Sequence, residues 1–489
     1  MNLRNFVALA GAVALVACGE QAQSPLAPTA PREAGSGAAV MVSSSADAGA
    51  GSLRAAIEVA NADPSVRIIH LSGAIGPIGL QTPLVYSGAQ ALRIHGSGTV
   101  IDANAVPDGS ATPATNAALV ANGGGDLTVH DLTVRGSTGV GILVDVPDAQ
   151  TGTIEVTLQS VTVEGSVLHG VLVNDQVDYF ADPLTRASGG SPADVRVRVT
   201  GSHFVDNGFG GLDYDGLRVN EGGAGSLFAD IIGSEFIGSG ADGVELDERA
   251  EGDAVFSLQH TKINANGFFS SEDYDDGIDV DELGPGGIDG RFVQVEANGN
   301  AEQGVDLKEN NLGDLRVTMN QVVARGNAEE GIEFEEDDDF EDFPEESWGG
   351  DLETTLVNVT ADENGANDGD AGLKVREKFD GNLTARLVNP TARENAIGGV
   401  QVREGEAGNL DAEIVGALAL SNDGEGIEVR ESSGGSLDAR IQHAVSSSND
   451  GAGVRLRGTG VARIQALTAV GNSDGPIVSE PGIVVTQVP

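Results

Sequence analysis

The chain has a single cysteine, Cys18, among 489 residues. That excludes a disulfide framework and a thiolate zinc site. Aromatic residues amount to only 4% of the chain, which does not suit a helical bundle or an ordinary α/β enzyme. Basic residues are scarce as well: 27 Lys and Arg stand against 75 Asp and Glu, for a formal net charge of −48. No basic footprint is available for DNA, RNA or anionic lipid, so nucleic acid is excluded as a partner. The histidines, His70, His95, His130, His169, His203, His260 and His443, are scattered without the HExxH or similar spacing of a His-ligated metal site. Nucleophile triads, phosphate loops and cofactor fingerprints are missing. Glycine and small apolar residues are abundant instead: 70 Gly and 40% hydrophobic residues, too apolar for a disordered chain. The composition implies a turn-rich, all-β protein.

The first residues stand apart. Arg4 followed by the apolar run Phe6 to Ala17 reads as an export signal, too short to span a bilayer as a mature helix. It ends in Leu15-Val16-Ala17-Cys18, which resembles the lipobox of bacterial lipoproteins. The resemblance implies a signal peptide over 1–17, acylation of Cys18, and a membrane reached only through the lipid anchor. Gly19, rather than Asp, after the Cys implies sorting to the outer membrane in a Gram-negative cell. Residues 18–38, rich in Ala, Pro, Gln and Ser without an apolar period, are expected to form a flexible tether. Residues 39–489 are expected to form one domain.

That domain repeats. The pattern Gly-apolar-x-apolar-x begins at Gly216, Gly243, Gly277, Gly304, Gly331, Gly372, Gly399, Gly426 and Gly453, with degenerate copies at Gly141 and Gly170. The spacings are 27 residues apart from one of 34 and one of 41, which are a repeat plus 7 and a repeat plus 14. A fixed period in this range marks a solenoid. Within a repeat the apolar residues alternate, as in Leu410-Asp411-Ala412-Glu413-Ile414, the period of a strand with one buried face. Asn recurs 23 residues after the Gly, at Asn266, Asn300, Asn327, Asn395, Asn422 and Asn449, with Asn364 in register once an insertion is removed. Stacked amides of this kind can donate and accept along the stack. Short strands winding in one direction predict a parallel β-helix of about thirteen coils at about 4.8 Å spacing.

The segment Gly51 to Asn61 reads G-S-L-R-A-A-I-E-V-A-N. It resembles the G-S-L-R-x-A-I-x-x-A-N opening of bacterial surface proteins with a right-handed parallel β-helix of the pectate-lyase-like superfamily. The resemblance implies a short amphipathic helix capping the first coil. It specifies fold far more than activity.

Long side chains on the repeated first strand form columns. The third position reads Arg218, Glu245, Asp279, Asp306, Glu333, Lys374, Gln401, Glu428 and Arg455; the fifth reads Asn220, Asp247, Asp281, Lys308, Glu335, Arg376, Arg403, Arg430 and Arg457. A Glu follows at the sixth position in eight successive coils, Glu221, Glu248, Glu282, Glu309, Glu336, Glu377, Glu404 and Glu431. Carboxylates stacked at about 4.8 Å repel by roughly 0.9 kcal/mol per pair in water, and more where the dielectric falls. A hard divalent cation, calcium above all, would offset that repulsion at Asp279, Asp281, Asp306, Glu333 and Glu335; a solvated ion-pair ladder with neighbouring Arg and Lys is the other reading. Insertions at both margins of the strand, including Asp175 to about Ala193, Gly267 to Asp276 and Asp337 to Gly350, are expected to wall it into a groove. Tyr214, Tyr274 and Trp348 near this face are candidates for stacking on sugar rings.

Two functions remain open. One is a surface lipoprotein whose acidic groove binds polysaccharide, divalent cation or an envelope protein. The other, by resemblance to calcium-assisted lyases of the pectate lyase type, is β-elimination on a uronate-containing glycan. Lys308, Lys374 or Arg376 would then take the proton α to the carboxylate while the metal stabilises the developing charge.

Overall fold

A computed structural model describes residues 37–107, 116–180, 189–271, 274–336, 349–367 and 369–488, which belong to one compact unit, Glu33–Pro489. The expected signal peptide, most of the tether with Cys18, and Trp348 lie outside the described residues. The architecture is a parallel β-helix. Each complete coil gives one strand to a fourteen-stranded sheet and two, or one long strand with a corner, to a twenty-six-stranded sheet. The coil from Gly243, for example, contains Val244–Glu248, Ala254–Gln259 and Lys262–Asn264. All pairings between coils are parallel and in the register that the repeat predicts: Leu217, Val244, Ile278, Val305 and Ile332 stack on one another. This column is fully buried. Together with the inward residues of the larger sheet it forms one continuous apolar core. Phe204 and Phe236 stack within that core, centroid to centroid at 4.5 Å.

The repeat Gly is required by close approach. A Cβ at Gly216 would meet the carbonyl of Gly243 at 2.6 Å, and one at Gly304 would meet that of Gly331 at 2.6 Å. The Asn column sits beside it and forms a continuous amide ladder. Asn266 Nδ2 donates to Asn300 Oδ1 at 3.1 Å, Asn300 to Asn327 at 3.0 Å, and Asn327 to Asn364 at 3.1 Å. The chain runs on through Asn395, Asn422 and Asn449 and reaches Asn472 beyond the expected set. Each amide also satisfies a backbone N–H of the coil before it, as Asn300 Oδ1 does for Asn266 N–H at 3.1 Å.

A second column was not legible. The corner between the two strands of the larger sheet is made by one left-handed residue per coil, such as Ser97 (φ 54°), His260 (φ 53°), Gln294 (φ 55°), Asn389 (φ 53°) and Ala466 (φ 53°). Near the N-terminal end, the helix Leu53–Ala62 starts at Ser52, whose hydroxyl accepts from the Ala55 N–H at 3.2 Å. It buries Leu53, Ala56, Ile57 and Ala60.

Candidate functional site

The outward side of the fourteen-stranded sheet carries the charged columns in the predicted order. Glu245 pairs with Asp279, Asp279 with Asp306, Asp306 with Glu333, and Glu333 with Lys374; beside them Asp247, Asp281, Lys308, Glu335 and Arg376 follow in turn. The face is not solvated as a free surface would be. Glu245, Asp247, Asp281, Asp306, Glu333, Glu335 and Lys374 are all buried beneath their neighbours and the bordering turns, and Asp279 and Lys308 are half-buried. Burying a charge is costly unless it is paired, so each stretch must neutralise itself, and the stretches do so differently.

At the N-terminal end Arg218 is the counter-charge. Its guanidinium binds Asp213 (2.7 Å), Asp247 (2.7 Å) and Glu245, and approaches Asp215 at 3.5 Å. Arg249 adds a second contact to Asp247 at 2.6 Å. Burial raises the Asp247 pKa, but the two guanidiniums more than offset that and leave it at about 2. Tyr179 and His169 close this end: the Tyr179 hydroxyl lies 2.7 Å from His169 Nε2, and His169 Nδ1 lies 3.2 Å from Asp215 Oδ2.

In the next two coils the carboxyls outnumber the cations. Asp242, Asp276 and Asp279 form no ion pair with any described residue; Lys308 pairs with Asp306 at 2.8 Å and reaches Asp276 and Asp279 only through its longer-range field. Asp242 Oδ1 accepts from Asp276 N–H at 2.5 Å, and Asp276 Oδ1 from Gln303 N–H at 2.6 Å. Asp279 Oδ1 and Asp306 Oδ1 are buried and accept no hydrogen bond. Burial, reinforced by the adjoining carboxylates, drives Asp242, Asp276 and Asp279 well above the usual range, and Asp306 to about 6. Two three-carboxyl groups, Asp242–Glu245–Asp279 and Asp276–Asp279–Asp306, each bring oxygens within 4.8 Å of one another. These clusters could hold a metal ion. A third group, Asp213–Asp215–Glu245, is occupied by the Arg218 guanidinium.

From Glu333 onward the pairs close again. Lys374 binds Glu333 and lies 3.5 Å from Glu335, while Arg376 binds Glu335 at 2.7 Å. Burial raises the Glu333 pKa, but Lys374 reverses that and leaves it below the usual value. Lys374 and Lys308 are both held strongly cationic by their carboxylates. Among the expected metal residues, Asp279 and Asp306 therefore fall in the surplus stretch, whereas Glu333 and Glu335 are already neutralised. Proton abstraction by Lys308 or Lys374 would first require breaking these pairs.

The sixth-position column is a buried glutamate ladder. Glu248 Oε1 accepts from Ala250 N–H (3.2 Å) and Gly252 N–H (3.3 Å), and Glu309 Oε1 accepts from Asn311 N–H (3.2 Å) and Gly313 N–H (3.0 Å). The second carboxyl oxygens face one another along the stack, linking Glu221 to Glu248, Glu282, Glu309 and Glu336. Such contacts require a proton between neighbours. Burial accordingly raises Glu221 to about 10, Glu377 to about 8 and Glu404 to about 7.

Aromatic residues lie in the turns that precede the strands of Arg218 and Asp279. Tyr214 and Tyr274 are half-buried, with Tyr214 edge-on to His169 at 5.1 Å. Phe209 and Phe268, 50% and 54% exposed, and Phe269 lie in turns preceding the same strands. Sequence reasoning missed these Phe residues, and also Asp242 and Asp276. The signal for the two Asp was present: the residue before each repeat Gly reads Asp215, Asp242, Asp276, Gln303, Glu330.

No family model and no curated protein matches the chain. Among solved structures it is similar to the periplasmic alginate epimerase AlgG, with 11% identity over 80% of this chain and 84% of that one and a TM-score of 0.38. It is also similar to the Agl-KA catalytic domain (11% identity, 89% of this chain and 64% of that one, TM-score 0.39). A third is the GH136 lacto-N-biosidase from Eubacterium ramulus (12% identity, 92% and 68%, TM-score 0.36). The chain thus spans less than two thirds of Agl-KA. Likeness at this level transfers no residue's role.

Proposed function

We propose that the protein is an exported β-helix rod, anchored through acylated Cys18 at the outer membrane or cell surface, whose carboxyl-rich face binds a divalent cation and surface glycan. The anchor rests on the lipobox-like Leu15 to Cys18, and no described helix is long and apolar enough to cross a membrane. The observation that carries the cation site is the pair of buried, unbonded oxygens Asp279 Oδ1 and Asp306 Oδ1 among carboxyls with too few counter-charges. Calcium, which takes several carboxylate oxygens in flexible geometry, fits this donor set. Asp279 and Asp306 would be its central ligands, with Asp276, Asp242 and Asp281 around them. Glu333 and Glu335 become available only if Lys374 and Arg376 are displaced. Tyr214, Tyr274, Trp348 and the exposed Phe residues would stack on sugar rings, orienting a glycan over the metal. Non-catalytic binding is favoured over β-elimination because Lys308, Lys374 and Arg376 are each ion-paired.

The test is calorimetric titration of calcium into chelator-treated protein. Saturable micromolar binding, lost in Asp279→Asn/Asp306→Asn, is the expected result. Weak, salt-sensitive, non-saturating uptake would overturn the cation site. Absorbance from an unsaturated product on incubation with acidic polysaccharides would overturn the binding-only reading.

A further inference from the structure

Downstream of the carboxyl cluster, the same face opens into a depression of about 460 Å³ lined by Arg376, Lys378, Phe379, Arg403, Arg430 and Ser432 among others. We propose that this depression is a separate binding site for an anionic glycan segment lying along the rod axis. The proposal rests on the reading of this face as a glycan surface, but it requires no metal.

Three observations carry it. First, on a chain of net charge −48 four cationic side chains converge here against two carboxyls, Glu404 and Glu406. Arg376 pairs in register with Arg403, and Arg403 with Arg430. Like charges directly opposite one another on adjacent strands are destabilising, so the column needs anions. Second, the protein supplies them incompletely. Arg376 is bound to Glu335 (2.7 Å), and Arg403 to Glu428 (2.9 Å) and Asp370 (3.1 Å). Glu428 is held from its other side by Arg457 at 3.1 Å. Arg430, between Arg403 and Arg457, makes no ion pair with any described residue; its Nε donates to Ser432 Oγ at 3.0 Å. The planar fork of its remaining N–H groups is suited to a carboxylate or sulfate.

Third, the geometry suits a chain of charges better than a single ion. Successive guanidiniums advance by the strand spacing of about 4.8 Å, comparable to the length of one pyranose ring, so neighbouring acidic sugars can meet neighbouring arginines. The Ser432 and Ser433 hydroxyls and the Phe379 ring add contacts of the kind sugar hydroxyls and ring faces use. A duplex nucleic acid, with one charge per about 1.7 Å, does not match this spacing.

The experiment is calorimetric titration of oligogalacturonate into the full chain in excess chelator, with a neutral malto-oligosaccharide and inorganic sulfate as comparison probes. Saturable binding of the acidic oligomer alone is expected, weakened about tenfold in Arg430→Gln and restored in part in Arg430→Lys. Arg430→Gln strands no carboxylate, so its fold should be unchanged, checked by its melting temperature. Calcium uptake by the parent, titrated separately without chelator, reports the cation site, so failure of that site and failure here are read in different experiments. Equal binding by parent and Arg430→Gln, equal binding of the neutral oligosaccharide, or saturation by sulfate alone at the same concentration would each overturn the proposal.

Discussion

The stretch from Asp276 to Asp306 and the stretch from Glu333 to Arg457 belong to coils of one register and one geometry, yet they solve opposite electrostatic problems. In the first, carboxyls crowd around a single lysine and are driven toward the neutral form. In the second, the outward column carboxylates Glu333, Glu335 and Glu428 are each clamped by a lysine or guanidinium, with Arg430 left over. The backbone is indifferent to the choice. One residue type at one column position per coil decides whether a stretch attracts cations or anions, because the ladder brings each letter directly beside the same letter of the next coil.

The sharpest way to break the contrast is to move the deficit. Lys374→Met removes the clamp from buried Glu333 and Glu335 and should cost about 3–5 kcal/mol at neutral pH, read by denaturant unfolding. If the two stretches differ only in counter-charge, calcium should now stabilise the variant more than the parent. The converse change acts with the opposite sign. Asp279→Asn removes a buried carboxyl that forms no direct ion pair, and in chelator it should stabilise by about 1 kcal/mol while abolishing calcium-dependent stabilisation. Destabilisation in chelator would mean that the surplus carboxyls already hold one another in a favourable network.

The smallest expected effect concerns pH. The ladder glutamates have folded pKa values above the ordinary one, at about 7 for Glu404, about 8 for Glu377 and about 10 for Glu221. The folded state therefore holds protons that the unfolded chain has released. Their stabilisation is complete below the ordinary glutamate value and is lost as pH rises through the folded values. In chelator the melting temperature should fall by about 3 °C or more between pH 5 and pH 8, and Glu282→Gln, whose amide replaces a shared proton, should flatten that slope. A melting temperature that rises over this interval would contradict the shared-proton ladder.

Much of this was readable in the sequence because the solenoid turns a period into contacts. The Gly column, the Asn ladder and the order of charged residues are each a one-letter repeat, and parallel pairing converts that repeat directly into neighbours. The left-handed corner was not readable, since Ser97, His260, Gln294 and Ala466 share a backbone angle but no chemistry. Burial was also misjudged. Alternation assigns Glu333 and Lys374 to the outer face, but it says nothing of how closely long side chains of adjacent coils and the bordering turns cover one another. Asp242 and Asp276 were missed because they precede the strand whose columns were tabulated.

The insertions of 7 and 14 residues leave the Asn hydrogen bonds across them at ordinary length, 3.1 Å from Asn266 to Asn300, 3.1 Å from Asn327 to Asn364 and 3.2 Å from Asn364 to Asn395. Length is thus tolerated between coils but not within the stacked columns. A lineage of such proteins can gain or lose a whole coil by unequal recombination and keep a working rod, and each duplicated coil copies its charge into the next rung. The reach of a cation-seeking or anion-seeking stretch is then a heritable number of repeats, adjustable without redesigning a single contact.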